Sequence, residues 1–219
     1  MTDKHRRFLG PVVEMRKLHD SAEQRIVHSA EMLDRKSLAS VGDTTGERLT
    51  ALLTETKAHT PEELAANVAR IGELLGRFAL YVPARFTDDP AEQAKYWAVR
   101  SGIFPAVGGS RPAGTTCLIE DVAFHIEDLP RATAELQALI ARHGYDDACI
   151  YGHALEGNYH FIINQSFSPP AEVARYEALM NDVAELVSAG TTARSKPSMA
   201  RGATWRPSSA ASRATTPWP

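Results

Sequence analysis

The sequence predicts an α+β fold in which helices pack on one face of a largely antiparallel sheet. Short segments typical of strands alternate with longer segments whose apolar residues recur at helical spacing. Two of the short segments, residues 149–152 and 159–164, are separated by a tight Glu156-Gly157-Asn158 turn, which is typical of antiparallel neighbours. Two split βαβ units of the ferredoxin-like type would fit this order of elements.

The N-terminal part of the chain begins with the weakest pattern. Residues 11–40 are predicted to be partly helical, with a strand near Ile26. Strands are predicted at residues 51–56 and 78–86, with a helix between them. Thr60-Pro61-Glu62-Glu63 is a strong helix start, because the threonine can cap, the proline suits the first helical position and the second glutamate can reach back. The apolar face of this helix is formed by Leu64, Val68, Ile71 and Leu75.

The rest of the chain continues the alternation. Asp89-Pro90 starts a helix, and residues 115–126 form a strand with a mostly apolar centre. Asp128 is expected to cap a further helix that ends before Gly144. Ser168-Pro169-Pro170 opens the last helix. The side chains expected on these three helices are Tyr96, Trp97 and Arg100, then Leu129, Leu136, Leu139 and Ile140, then Tyr176, Met180 and Leu186.

Composition changes sharply near Val187. Residues 188–219 are rich in Ser, Thr, Ala, Arg and Pro and contain almost no aliphatic side chains. Such a segment cannot bury enough apolar surface to offset the entropy lost on ordering. We therefore predict a domain over residues 1–187 and a disordered tail over residues 188–219.

Length and charge exclude several classes of protein. The chain has 219 residues and a formal charge of −3, which gives no electrostatic reason to expect a nucleic-acid partner. Cys117 and Cys149 do not form a CxxC pair and fit a reducing compartment better than a disulfide scaffold. No signal peptide or apolar run of membrane-spanning length is present. These features predict a cytoplasmic protein with no transmembrane segment.

Two histidines flank the predicted turn in Gly152-His153-Ala154-Leu155-Glu156-Gly157-Asn158-Tyr159-His160. If the flanking segments pair as a hairpin, the imidazoles of His153 and His160 can face the same space. Neutral imidazole is a good ligand for zinc or a similar divalent ion. A metal site also needs a third protein ligand, and Glu156 is expected to point outward. On these residues alone, two surface or hydrogen-bonded histidines remain the alternative.

The wider pattern Gly-His-Ala-x-x-Gly-Asn-x-His resembles the signature of the C-terminal domain of FAD-linked oxidases. That family includes D-lactate, glycolate and D-2-hydroxyglutarate dehydrogenases. Residues 96–105, 114–116 and 119–123 match the family as well, and the resemblance runs from about Ile26 to Val187. It is closest to the large D-lactate dehydrogenases that add an iron–sulfur domain downstream.

This resemblance implies a function and its site residues. The chain would be a fragment of an FAD-dependent D-2-hydroxy-acid dehydrogenase, inactive alone, with FAD held mainly by a separate flavin-binding domain. Arg100 matches the arginine that binds the substrate carboxylate, and Arg111 is a second candidate, because a guanidinium fork can hold a carboxylate at two points. His153 and His160 match the metal-binding histidines, whose metal, expected to be zinc, would lower the pKa of the substrate hydroxyl.

Several alternatives remain open at this stage. Arg100 could lie on a solvated helix face, and Glu120 and Asp121 could line the site or be charges at a sheet edge. No lysine occurs in residues 115–126, where members acting on hydroxyglutarate carry one, so a large dicarboxylate substrate is disfavoured. The intact enzyme could associate peripherally with the inner face of the membrane. The alternative functions are a non-catalytic α+β module that binds a small carboxylate or a metal ion, and a translation product without function.

The family normally continues with Asp-Gly-Ser-Leu-Lys-Ala-Glu-His-Gly-Thr-Gly-Arg-Asn-Met-Ala-Pro-Phe-Val, whose Glu-His pair supplies the third metal ligand and the catalytic base. The chain lacks this segment, so no catalytic base is predicted within it. The codons for residues 191–209, read from the third base of Thr191, nevertheless permit the whole segment. Met199-Ala200, for example, is ATG-GCN, which shifts to His (CAT) and Gly (GGC). We hypothesise that the reading frame slips between Val187 and Thr191, through a disrupted gene or a sequencing error.

Overall fold

The computed structural model describes residues 3–21, 25–42 and 50–192. Six helices lie in these ranges: α1 (Asp3–Ser21), α2 (Arg35–Ser40), α3 (Pro61–Leu75), α4 (Pro90–Ser110), α5 (Leu129–Arg142) and α6 (Pro170–Thr192). The strands are β1 (Ser29–Leu33), β2 (Ala51–Glu55), β3 (Thr116–Ala123), β4 (Cys149–His153) and β5 (Asn158–Gln165). They form one sheet in the order β2-β1-β4-β5-β3, in which every neighbouring pair is antiparallel. The predicted α+β class is confirmed.

Part of the predicted ferredoxin-like arrangement is visible in the sheet. Both β3 and β4 pair antiparallel with β5, which lies between them, so β3 and β4 run parallel to each other. Helix α5 connects them and completes a split βαβ unit. A second unit of this kind would need a strand after α6, and residues 193–219 lie outside the described residues.

The larger core fills the space between the sheet and helices α1, α5 and α6. It contains fully buried side chains from all of these elements, including Val12, Met32, Leu129, Leu136, Ile150, Phe161, Ile163 and Leu179. A satellite cluster under α3 joins Met15 of α1 to Ile71 and Leu155. The sequence predicted this covered face through the 3.6-residue spacing in α5 and the apolar centres of the strands.

The sequence predicts helices on one face of the sheet. In the structure, helices also cover part of the opposite face. Ile103 and Val107 of α4, together with Leu38 of α2, pack on Leu33, Cys149 and Ile162. These strand residues point away from the larger core because side chains along a strand alternate between the two faces. The α4 side of the sheet is therefore only partly covered, and it is the side that carries polar residues.

Three predicted elements differ from the structure. Residues 78–86 form no strand, because the run contains Pro83, which lacks a backbone donor, and Tyr81 and Val82 are exposed. The strand expected near Ile26 begins at Ser29, and Ile26 instead packs in the cluster under α3. Asp128 makes no side-chain cap, because a short 3₁₀ turn, Ile126–Asp128, leads directly into α5.

The predicted start of α3 is confirmed at the level of single hydrogen bonds. The backbone N–H of Glu63 donates to Oγ1 of Thr60 at 3.1 Å, and Oε2 of Glu63 accepts from the N–H of His59 at 3.0 Å. At the other end of the chain, α6 continues to Thr192, past the predicted beginning of the tail at Ser188. The remainder of the predicted tail, residues 193–219, lies outside the described residues. No helix in the described ranges has the length and apolarity needed to cross a bilayer.

The two cysteines should differ in reactivity. Cys149 is 2% exposed, and burial raises the pKa of its thiol to about 12, so almost no thiolate is available near neutral pH. Cys117 is half-buried, and burial also raises its pKa. We expect a disulfide reagent at pH 8 to titrate Cys117 slowly and Cys149 only after unfolding in urea. Rapid modification of both thiols in the native chain would contradict the packing around β4.

Candidate functional site

A row of polar side chains crosses the partly covered face of the sheet. In the strand register Asp121 of β3 lies opposite His160 of β5, which in turn lies opposite Tyr151 of β4. Two residues after Tyr151 on β4, His153 lies opposite Glu31 of β1. Directly opposite residues have Cβ atoms about 4.5–5.5 Å apart, so their side chains must interact. Four strands thus contribute to one cluster on the face that α4 leaves open.

Glu31 lies at the centre of this cluster and is 3% exposed. Its Oε2 accepts a hydrogen bond from Nε of Arg100 at 2.9 Å, and its Oε1 contacts Nδ1 of His153 at 2.5 Å. A buried carboxylate is costly unless it is paired and hydrogen-bonded. Both oxygens of Glu31 meet that requirement, and the residue links α4 to the turn between β4 and β5.

Arg100 does not lie on a solvated helix face. It is one turn before Ile103 on α4, so the packing of Ile103 against the sheet directs Arg100 toward the same surface. Its Cζ lies 4.7 Å from the centre of the Tyr151 ring, a cation–π distance. Nη1 and Nη2 make no hydrogen bond or ion pair within the described ranges, so the outer fork of the guanidinium is available.

Tyr151 forms the floor beneath that fork. Burial raises the pKa of its phenol, and the neighbouring Arg100 charge offsets this increase only in part. The tyrosine therefore stays neutral over the physiological range and offers an aromatic surface to the guanidinium. The sequence interpretation did not include Tyr151 or Glu31 among the site residues.

The two predicted metal-binding histidines are close together. The ring centres of His153 and His160 are 5.4 Å apart, with the rings inclined at 80°. Nδ1 of His160 contacts Oδ1 of Asp121, just as Nδ1 of His153 contacts Glu31. Asp121 therefore lines the site, whereas Glu120 points to the other face of the sheet and accepts a hydrogen bond from the Tyr176 hydroxyl at 2.7 Å.

The connection between β4 and β5 brings the histidines together. After His153 the chain makes a short 3₁₀ turn, Ala154–Glu156, and reverses at Gly157, whose φ is +73°. The carbonyl of Gly157 accepts a hydrogen bond from the N–H of Phe124 at 2.9 Å, which fixes the turn to the end of β3. The predicted hairpin is confirmed, with this 3₁₀ turn inserted before the glycine.

Arg111 is not part of this cluster. It follows the last residue of α4, where its Nη1 donates to the carbonyl of Gly108 at 2.6 Å and its Nε to the carbonyl of Thr115 at 3.1 Å. It lies eleven positions after Arg100, which corresponds to roughly 16 Å along the helix axis. Its donors close the C-terminal end of the helix instead of facing the histidines.

The described residues do not form a complete set of metal ligands. Two imidazoles converge, but no group of three or more His, Cys, Asp or Glu in the described part of the chain is arranged to hold a metal ion. Glu156, expected to point outward, has a side chain that is 57% exposed and is paired with Arg16 at 3.0 Å. A closed metal centre would therefore need a further ligand from outside the described ranges.

Comparison with known proteins identifies a family. The model of the family described as "FAD linked oxidases, C-terminal domain" matches residues 15–191, which includes every residue of the polar cluster. A search of curated proteins found no match.

Proposed function

Because the chain belongs to the family of FAD-linked oxidase C-terminal domains, an oxidoreductase family that uses FAD, we propose that it binds the substrate of a D-2-hydroxy-acid dehydrogenase of the D-lactate type. One observation carries this proposal. A guanidinium with a free outer fork and two imidazoles lie on the same open surface of the sheet, and one buried glutamate holds both the guanidinium and the imidazole of His153. A 2-hydroxy acid offers a carboxylate and a hydroxyl on adjacent carbons, which matches these two kinds of group.

Arg100 binds the substrate carboxylate in this proposal. Glu31 occupies Nε, so Nη1 and Nη2 together donate to the two carboxylate oxygens in a bidentate geometry. The ring of Tyr151, whose centre is 4.7 Å from Cζ of Arg100, supports the guanidinium through a cation–π contact. The α-carbon of the bound acid then lies toward the histidines instead of toward α4.

The histidines orient the hydroxyl. Each has a carboxylate at Nδ1, which leaves Nε2 as the ring nitrogen that can face a ligand. A carboxylate behind an imidazole is the common arrangement around metal-binding histidines, which supports the proposal that His153 and His160 supply two ligands of a divalent ion such as zinc. With neutral imidazoles the cluster of Arg100, Glu31 and Asp121 carries one excess negative charge, which a divalent cation at the histidines would offset.

The proposed reaction is a two-electron oxidation of the 2-hydroxy acid. The α-carbon loses hydride and the hydroxyl loses a proton, which leaves a 2-oxo acid. FAD, held by a separate domain, supplies the acceptor for the hydride when it is bound. The described residues contribute binding and orientation, and we propose that the base and the remaining ligand come from the Glu-His pair encoded in the shifted frame after Val187.

The test compares the chain with a version whose reading frame is restored and which is joined to its flavin-binding and iron–sulfur domains. We expect the purified 219-residue chain to be colourless and inert toward D-lactate. The restored protein should bind FAD, and its visible absorbance should bleach on addition of D-lactate but not L-lactate. A restored, FAD-loaded protein that no D-2-hydroxy acid reduces would refute the proposal.

The free outer nitrogens of Arg100 also support a second candidate function. In this case the chain is a module that binds a small carboxylate without redox chemistry. Arg100, Glu31 and Tyr151 all lie in the described ranges, so carboxylate binding needs no further segment. Binding of D-lactate by the chain, together with no bleaching in the restored protein, would favour this candidate.

A further inference from the structure

We propose that Glu31 is a positioning residue that sets the tautomer of His153 and the orientation of Arg100 at the same time. The inference rests on the proposed function only for its consequence in catalysis. Its structural basis is a single buried carboxylate with one protein partner on each oxygen.

The donors and acceptors of Glu31, Arg100 and His153 allow only one arrangement of the two hydrogen bonds. Arg100 can only donate, so Oε2 of Glu31 must accept. An ionised carboxylate has no proton to offer, so Oε1 must also accept, and the proton of neutral His153 must be on Nδ1. Nε2 of His153 is then unprotonated and presents its lone pair to the open surface. Glu31 thereby makes His153 an acceptor or ligand at the position where the proposed substrate hydroxyl lies.

The burial of Glu31 makes this control strong. Its side chain is 3% exposed, so water does not compete for either oxygen. The equivalent pair on the neighbouring strands differs, because Asp121 is 68% exposed and contacts one imidazole only. Solvent can replace Asp121 as the partner of His160, so the tautomer of His160 should be less tightly fixed.

The decisive variant is Glu31→Gln, which keeps the shape of the side chain. Because Arg100 cannot accept a hydrogen bond, the amide oxygen must stay on Arg100 and the amide NH₂ must face His153. His153 then has to accept at Nδ1, which moves its proton to Nε2. We therefore expect this substitution to invert the tautomer of His153 while both hydrogen bonds are retained.

The measurement is a long-range nitrogen–proton NMR spectrum of the 219-residue chain at alkaline pH, where an imidazole is neutral. His153→Asn identifies the resonances of His153. The wild-type chain should show protonated Nδ1 and bare Nε2, and Glu31→Gln should show the reverse. The matched control is Asp121→Asn, whose amide can turn its oxygen to the imidazole because the described residues give Asp121 no second partner. His160 should keep its proton on Nδ1 in that variant.

The outcomes separate this inference from the proposed function. If Glu31→Gln has the same His153 tautomer as the wild type, the positioning role of Glu31 is refuted. A wild-type chain with the proton of His153 on Nε2 would also refute it. That second measurement needs no variant, so it decides the question even if Glu31→Gln does not fold. Pyruvate is titrated in parallel as a 2-oxo acid. Because the amide oxygen keeps Arg100 in place, Glu31→Gln should still bind pyruvate, and a loss of affinity above tenfold would refute the claim that Arg100 stays oriented. If wild-type chain does not bind pyruvate while the tautomer inverts as expected, the proposed function fails and the positioning role stands.

Discussion

Replacing Gly157 with alanine should destabilise the chain by roughly 2–5 kcal/mol, a large share of the 5–15 kcal/mol typical of a folded domain. Gly157 has a φ of +73°, a backbone conformation that residues with a Cβ rarely adopt. An added Cβ would also lie 2.2 Å from the carbonyl oxygen of Phe124. That atom is backbone at the end of β3, so relief requires the turn and the strand to separate. Urea unfolding followed by circular dichroism measures the loss.

Gly144→Ala is the matched control for this prediction. Gly144 has a φ of +75°, but the nearest atom to an added Cβ is a side-chain nitrogen of Arg175 at 3.9 Å. It therefore isolates the cost of the backbone conformation, about 1–2 kcal/mol. Equal losses in the two variants would mean that the clash with Phe124 is absent. In Gly157→Ala the resonances of His153 and His160 should also shift, because the turn that brings them together is displaced.

The hairpin around Gly157 was predictable because its signals are local. Strand-type residues, a glycine between Glu156 and Asn158, and a spacing of seven between the histidines all occur within one short segment. The start of α3 was predictable for the same reason, since Thr60, Pro61 and Glu63 are adjacent in sequence. In both places the short-range hydrogen bonds that the residues favour are the ones that form.

Glu31 could not be assigned from local pattern because its partners are distant in the chain. Arg100 and His153 are 69 and 122 residues away, and only the pairing of β1 with β4 and the packing of α4 bring them to it. One signal was present: an acidic residue within the apolar run Ala30-Glu31-Met32-Leu33 must be paired if it is buried. The error at residues 78–86 has the opposite origin, since an apolar run was read as a strand although Pro83 interrupts it.

Arg100→Lys should weaken binding of a 2-oxo or 2-hydroxy carboxylate by roughly 10- to 100-fold, which corresponds to one charge-assisted hydrogen bond of about 1.5–3 kcal/mol. Lysine keeps the positive charge, and its ammonium can still pair with buried Glu31, so the fold should be retained. It cannot bond Glu31 through one nitrogen and hold a carboxylate with two others in the same plane. Titration of the chain with pyruvate, followed by the side-chain resonances of Tyr151 and His153, measures the affinity.

Arg111→Lys is the control, since it makes the same substitution just beyond the C-terminal end of α4. Arg111 donates to the carbonyls of Gly108 and Thr115, so its replacement should alter the end of the helix and leave pyruvate binding unchanged. If both variants lose affinity equally, binding reflects net charge and not the fork of Arg100. If Arg100→Lys binds as well as wild type, the carboxylate does not lie on the outer nitrogens. Substrate recognition would then have to be sought outside the surface formed by β1, β4, β5 and α4.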